Sequence, residues 1–437
     1  MRRTLLVIAL AVAFAVPARA QTAAPDEQTI ADAYTYLLAR AFVVRQEHTD
    51  LKEAGVAYNT IKYNPLGSAD FVNPNFDVAY LEAWFAIDDK TAAILEVPKI
   101  EGRYYTAQIL DEWGEVIANI NERTVPSRPY GKFALVGPGS NAAIPADAAR
   151  LELHSAKAKM LARVELKTDK DGAVRLQRAF KLATIGKPTI APAAPIKMFT
   201  NKELMGAELF EGAEPLMTSA LDVMPRAAEL QQKVRSVAKY IASGPDSRAK
   251  VDKLLREKVV PQFQEYALTR SAPYRNHWVG AGITGNFGGD FRLRTSVNFA
   301  GLWANNTDEV IYFVATRDSE EKPLDGSGSY VMHFTPDRLP AGAVDGYWSV
   351  ILVGVPDYRV VPNPLNRFNL NTYSPLKFEA DGSLKIAIGP KAPTDIAEAN
   401  WLPTADGKPF SLTFRCYVPK AAVRDGKWQP AAVTPIK

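Results

Sequence analysis

Five carboxylates, Asp77, Glu82, Asp111, Glu112 and Glu115, fall among the aromatic residues Tyr80, Trp84, Tyr104, Tyr105 and Trp113. Acid pairs beside aromatic platforms are what a glycoside-cleaving site needs. One carboxyl protonates the leaving oxygen while the other activates water or attacks the sugar, the two about 5 to 9.5 Å apart. Asp77, Asp111 and Glu112 are the candidates for such a catalytic pair. Other chemistries have less to stand on. Gly280 to Gly285 spell a GxGxxG pattern, but dinucleotide binding needs a strand before it and a helix opening after it. Tyr274 to Trp278 is a poor buried strand, and Asn286 to Asp290 is not expected to begin a helix. Ser236 and Lys239 have the SxxK spacing of serine acyl enzymes, yet the companion Ser-Asp-Asn and Lys-Thr-Gly elements are missing. His48, His154, His277 and His333 stand at no metal-ligand spacing, so neither a metal nor a cofactor is expected.

The elements that must position these residues follow from hydrophobic periodicity. Ile30, Tyr34, Leu37, Leu38, Ala41 and Val44 recur at helical spacing, with Arg40 and Arg45 off that stripe, and predict an amphipathic helix. From Asp77 to Ile87, Tyr104 to Asp111 and Phe133 to Val136 the period changes to strand alternation, punctuated by Pro98, Gly102 and Gly137-Pro138-Gly139. In the second of these, Tyr105, Ala107, Ile109 and Asp111 share one face. A carboxylate on that face must pair with a cation such as Arg123, Arg367 or Arg415, bind backbone donors, or sit at a cavity mouth. Residues 183 to 200 shift to Pro, Ala and Lys and mark a boundary. A helical middle follows, with a Thr200/Glu203 capping box, a run from Ala227 to Ile241, and another from Ser247 to Leu268 interrupted by Pro261. Strands return at Glu309 to Thr316, Ser329 to Thr335, Trp348 to Val353, Ser383 to Ile388 and Phe410 to Val418. In the last, Phe410, Leu412, Phe414, Cys416 and Val418 face one way and Ser411, Thr413, Arg415 and Tyr417 the other. The expected fold is mainly β with α: two jelly-roll or sandwich-like β domains joined by a helical middle segment. The boundaries read as 1–20 leader, 21–190 N-terminal helix plus β domain, 191–275 helical linker and 276–437 C-terminal β domain.

Met1 to Ala20 has the charged start, apolar core and Ala18-Arg19-Ala20 exit of a secretory leader cleaved after Ala20, which predicts a periplasmic or secreted protein. No later stretch is long and apolar enough to span a membrane. Losing Arg2, Arg3 and Arg19 takes the formal net charge from +4 to +1, which leaves no electrostatic footprint for nucleic acid or anionic lipid. With Cys416 as the one cysteine, no internal disulfide forms and stability must come from buried apolar area.

Asn73-Pro74-Asn75-Phe76-Asp77-Val78-Ala79-Tyr80, the run Glu96 to Thr124, and Phe133 to Gly139 together resemble the bacterial family called domain of unknown function 1254. Its members read Pro-Asn-(Arg or Asn)-Asp-Thr-Leu-Tyr at the first motif, where this chain has Phe76 in the third place and Val78-Ala79 for Thr-Leu. Asn400 to Pro430 resembles the C-terminal signature of domain of unknown function 1214. Leu324 to Ser327, Tyr330, His333-Phe334, Tyr347 to Ser349, Asn363, Asn366-Arg367 and Asp381 to Leu384 match it as well. The resemblance implies two β-rich, jelly-roll-like domains joined by helices in an exported bacterial protein. It draws attention to Asn75, Tyr80, Tyr104, His333, Arg367, Asn400 and Trp401 as ligand-binding candidates.

Two functions fit. The first is a periplasmic ligand-binding or interaction protein with a polar-aromatic groove, in which residues such as Tyr104, Thr106 and Gln108 stack on and hydrogen-bond a small molecule or glycan. The alternative is a metal-independent glycan hydrolase or lyase using two of Asp77, Asp111 and Glu112.

Overall fold

The computed structural model describes residues 23–67, 74–405 and 407–436; the leader read at Met1 to Ala20, and Asn73, lie outside the described residues. α1 (Glu27–Asp50) opens the chain, its first turn capped by the Asp26 carboxylate on the Thr29 amide. Strands β1 (Lys62–Tyr63), β2 (Val78–Ala86), β3 (Ala92–Val97), β4 (Tyr105–Leu110), β5 (Val116–Ile120), β6 (Gly131–Val136), β7 (Ala148–Glu152) and β8 (Lys157–Glu165) follow. Then come α2 (Lys170–Ala179) and β9 (Lys181–Ile185). They form two sheets, ordered β1-β2-β8-β4-β5 and β7-β6-β3-β9. Strand alternation turns Leu81, Phe85, Ala107, Ile109, Met160 and Val164 of one sheet toward Leu95, Phe133 and Leu135 of the other, which makes the first core.

The middle contains α3 (Ala213–Thr218), α4 (Ala227–Ile241), α5 (Pro245–Leu254) and α6 (Val260–Thr269). A π-helical turn at Leu255–Val259 joins α5 to α6 just ahead of Pro261, so the proline is absorbed at the start of α6 and the helix runs on. The Thr200 hydroxyl does accept the Glu203 amide at 3.0 Å. Helical geometry nevertheless begins only at Ala207, whose amide is held by Asp252 at 2.9 Å.

Next come β10 (Tyr274–Arg275), β11 (Trp278–Gly280), α7 (Phe291–Gly301), β12 (Val310–Ala315), β13 (Tyr330–Phe334), β14 (Trp348–Gly354) and β15 (Asn369–Asn371). The chain closes with β16 (Leu384–Gly389), β17 (Trp401–Pro403), β18 (Phe410–Tyr417) and β19 (Thr434–Pro435). Helix α7 corrects the reading of 286–290. Asp290 accepts the Leu293 amide at 2.9 Å and caps a helix whose buried positions include Arg294, Thr295, Ser296 and Asn298, so no apolar stripe advertises it. The sheets here run β10-β11-β12-β18-β14-β15 and β17-β16-β13-β19, and Phe313, Val350, Leu412, Phe414 and Cys416 meet Met332, Ile386 and Ile388 between them.

Helix α1 differs from the expected single stripe. Every residue from Ala33 to Val44 is buried, Arg40 included, because α1 sits inside a third core built with α3, α4 and α6 (Leu216, Leu230, Val234, Phe263) and Phe291 of α7. The result is mainly β with α, with two sheet-rich domains and a helical core of which α1 is part. No helix among the described residues is long and apolar enough to cross a membrane.

Candidate functional site

Strands β8 and β18 share an unusual property. Each places apolar residues inward and polar ones outward, and the outward ones are buried too. On β8, Lys157, Lys159, Arg163 and Glu165 are buried, and on β18, Ser411, Thr413, Arg415 and Tyr417. The outer face of the first N-terminal sheet is covered partly by α1 and partly by the outer face of the six-stranded sheet. A polar seam rich in tyrosine results, with Val78, Tyr80, Tyr104, Val310, Tyr312, Tyr347, Tyr373 and Tyr417 in one cluster.

The seam gathers four of the sequence-derived candidates. Asn75 donates to the Tyr417 hydroxyl at 2.6 Å and to that of Tyr80 at 3.3 Å, while its carbonyl oxygen accepts the Asp77 amide. Asp77 is 4% exposed, and its Oδ1 accepts from Asn369 and Asn371 of β15 at 2.7 and 2.8 Å. Burial raises the Asp77 pKa, against the pull of the Asn371, Ser349, Arg415 and Asn369 side chains. The Tyr104 hydroxyl donates to Glu309 at 2.9 Å, and burial holds that phenol far above its ordinary value. Arg123 donates to the same Glu309 carboxylate at 2.8 Å. Tyr347 and Tyr417 stack with ring centroids 4.2 Å apart, and Tyr104 meets both edge-on. Arg415 reaches the Pro74 carbonyl at 3.0 Å. Arg163 donates to Gln108 at 2.7 Å and lies 5.5 Å from the Tyr80 ring centroid. Tyr80, Tyr312, Tyr373, Asn75, Asn369 and Asn371 keep partial exposure.

Asp111 and Glu112 lie elsewhere. Val78 of β2 faces Glu165 of β8, whereas Leu110 of β4 faces Lys159, so Asp77 and the 111–112 pair flank opposite ends of β8. At about 3.3 Å per residue that separation is roughly 20 Å, far beyond the spacing of a glycosidase pair. Asp111 is 1% exposed and pairs with His154, not with the arginines considered from sequence. The Glu112 carboxylate takes Arg40 at 2.9 Å, and Glu115 faces Arg294 at 3.7 Å and accepts the Phe287 amide at 3.1 Å. Burial pushes Glu112 and Glu115 up to about 7.

The remaining candidates sit in the C-terminal domain. His333 is exposed on β13, opposite Lys385. Arg367 donates to the carbonyls of Glu398 and Trp401 at 2.5 and 3.0 Å. Asn400 bridges the Lys377 backbone and the Lys385 carbonyl, and the Trp401 indole donates to Gly389 at 2.9 Å. These side chains brace loops and strands. Among the described residues no group of three or more His, Cys, Asp or Glu side chains is arranged to hold a metal.

Sequence reasoning passed over Arg163, Glu165, Glu309, Tyr312, Tyr373 and His154. The signal for the first two was present: Lys157-Ala-Lys-Met-Leu-Ala-Arg-Val-Glu165 alternates polar and apolar residues as a two-faced strand does.

No curated protein matches the chain. Among solved structures, the VPA0106 protein from Vibrio parahaemolyticus aligns over 94% of this chain and 100% of its own, with a TM-score of 0.70 at 21% identity. An uncharacterized protein from Burkholderia cenocepacia aligns over 95% of this chain and 91% of its own, with a TM-score of 0.44 at 15% identity. The first likeness shows the fold. Two family models match in tandem, Protein of unknown function (DUF1254) over residues 56–184 and Protein of unknown function (DUF1214) over 309–421, so that the seam lies between the two matched regions. The chain therefore belongs to the family of proteins that join a DUF1254 region to a DUF1214 region.

Proposed function

We propose that this chain is an exported ligand-binding protein whose binding surface is the tyrosine-rich seam between its two sheet domains. One observation carries the reading. Two polar strand faces are packed against each other, yet tyrosine and asparagine side chains of that seam remain partly exposed. A purely structural contact between sheets is better made with apolar residues, because each buried polar group must find a partner or cost stability. Convergent phenols, amides and guanidinium groups are the means by which a pocket orients a small polar ligand. Export is supported by the leader-like start. N-terminal sequencing of the periplasmic fraction tests it, and a mature chain that begins at Met1 counts against it.

Binding is tested by titrating the mature protein with fractionated envelope polysaccharides and their monomers while following aromatic emission and melting temperature. A saturable shift supports the reading, and its absence across all fractions at millimolar concentration rejects it.

A second reading, a metal-independent glycan hydrolase or lyase, is favoured by the acids near Asp111. Glu112 and Glu115, with pKa values pushed up to about 7, are poised to give or take protons at neutral pH. New reducing ends released from a polysaccharide by the wild type, and lost in Glu115→Gln with the fold intact, would support it.

A further inference from the structure

Three arginines enter the seam, and one of them differs from the others. Arg123 forms an ion pair with Glu309 at 2.8 Å. Arg415 reaches the Pro74 carbonyl and lies near the Asp77 carboxylate. Arg163 is 2% exposed, and its partners among the described residues are neutral: the Gln108 side-chain carbonyl, the Tyr312 hydroxyl and the face of Tyr80. Its Nε has no hydrogen-bond acceptor, and no ion pair to it forms among the described residues. Glu165, two residues along the same face of β8, is engaged by the Tyr104 amide and the Tyr373 hydroxyl at 2.7 and 2.6 Å.

A guanidinium cannot shed its proton, so its charge persists in the seam. Burying such a charge opposite neutral groups is unfavourable, and an apolar residue of similar size would avoid the penalty. The arrangement makes sense when a negative charge arrives from outside. The Nε of Arg163 is buried and has no acceptor, so a carboxylate oxygen that reached it would complete its hydrogen bonding, and guanidinium–carboxylate pairing is the strongest hydrogen-bonded contact available to it. Around it stand groups that recognise hydroxyls, the phenols of Tyr312 and Tyr80, both on partly exposed residues.

We propose that the ligand of the seam is a hydroxylated organic acid of the uronate type, seated with its carboxylate on Arg163 and its hydroxyls toward the surrounding tyrosines. This rests on the binding reading above and names the chemistry of its ligand. Electrostatics decides the class, since a neutral sugar of the same shape would leave the buried charge as it was.

The test compares glucuronate, glucose and acetate as probes on the mature protein, by calorimetry and thermal shift, with wild type, Arg163→Met and Arg163→Lys. Glucuronate is expected to raise the melting temperature of the wild type and to bind more tightly than either acetate or glucose. Arg163→Met is expected to melt higher than wild type without ligand and to show no glucuronate shift. Arg163→Lys keeps the charge but loses the planar fork, so it folds and binds glucuronate about tenfold or more weakly. Equal binding of glucose and glucuronate overturns the assignment of an acid while leaving a binding seam in place. Failure of all three probes to bind the wild type overturns both the acid and the seam. If Arg163→Met melts lower and Arg163→Lys binds glucuronate as wild type does, Arg163 is a structural residue and the proposal falls.

Discussion

The Oδ2 atom of Asp111 lies 2.8 Å from Nδ1 of His154, while Oδ1 of the same carboxylate accepts the amides of Trp113 and Glu115, both at 2.9 Å. One side chain thus fixes the turn after β4 and orients an imidazole from another segment. The hydrogen bond to Asp111 raises the pKa of His154 above its ordinary value, against the opposing effect of partial burial. A raised histidine stabilises the fold fully below the unfolded value near 6.5, and the contribution is lost as pH rises through the folded pKa. Asp111→Asn is therefore expected to cost about 1 to 3 kcal/mol near pH 6, and less at a second pH above the raised pKa of His154, where the imidazole has lost its proton. Urea denaturation at the two pH values measures the difference. A cost that is equal at both would show that only the backbone contacts of Asp111 matter.

Glu112 and Glu115 reinforce this trend. With folded pKa values about 7, raised chiefly by burial, they bind protons in the native state that the unfolded chain has already released. Stability from these groups is complete below the unfolded glutamate value of about 4.3 and falls as pH rises to 7 and beyond. The midpoint of urea unfolding is expected to decline from pH 5 to pH 8, with a shallower decline in Glu115→Gln.

Arg40 and Glu112 are both 1% exposed. At pH 8, above the Glu112 pKa of about 7, Arg40→Leu strands a carboxylate in the helical core and is expected to destabilise by about 3 to 5 kcal/mol, whereas Arg40→Leu with Glu112→Leu should recover most of that loss. A double variant as unstable as the single one would locate the cost in packing.

Asp77 joins the two domains through two asparagine amides on one oxygen. Asp77→Asn keeps shape but removes the charge that both donors share, and allows a donor to face them. A loss of about 1 to 3 kcal/mol is expected, and limited proteolysis should cut more readily between the domains. Unchanged melting and cleavage would mean that the contact is dispensable.

Cys416 is fully buried in the second sheet core, and burial pushes its thiol pKa up. A disulfide reagent is expected to leave native protein unmodified and to label it at once in guanidinium. Fast labelling of the native state would contradict the register of β18.

Local periodicity carried much of the fold. Ala227–Ile241 is helical over the span its spacing predicts, and the core face of β18 holds Phe410, Leu412, Phe414 and Cys416 as alternation requires. Helix α7 escaped because its buried face holds Arg294, Thr295 and Asn298, whose polar partners are remote in sequence. The candidate site was half legible. Asn75, Asp77, Tyr80 and Tyr104 could be marked from one side of the seam. Alternation tells which residues of a strand share a face but not what covers it, so Tyr312 and Tyr417 came into view as site residues only when the two polar faces met.

The packing of α1 constrains how the chain can be made. Its residues Tyr34, Leu37, Leu38 and Phe42 are buried against segments that begin at Leu204 and extend to Phe299. A chain emerging from the ribosome at about 5 to 20 residues per second exposes this apolar helix for many seconds before its cover has been synthesised. In that interval the helix has no cover within its own chain, so the first helix to be made cannot be fully buried until residues near Phe299 have been added.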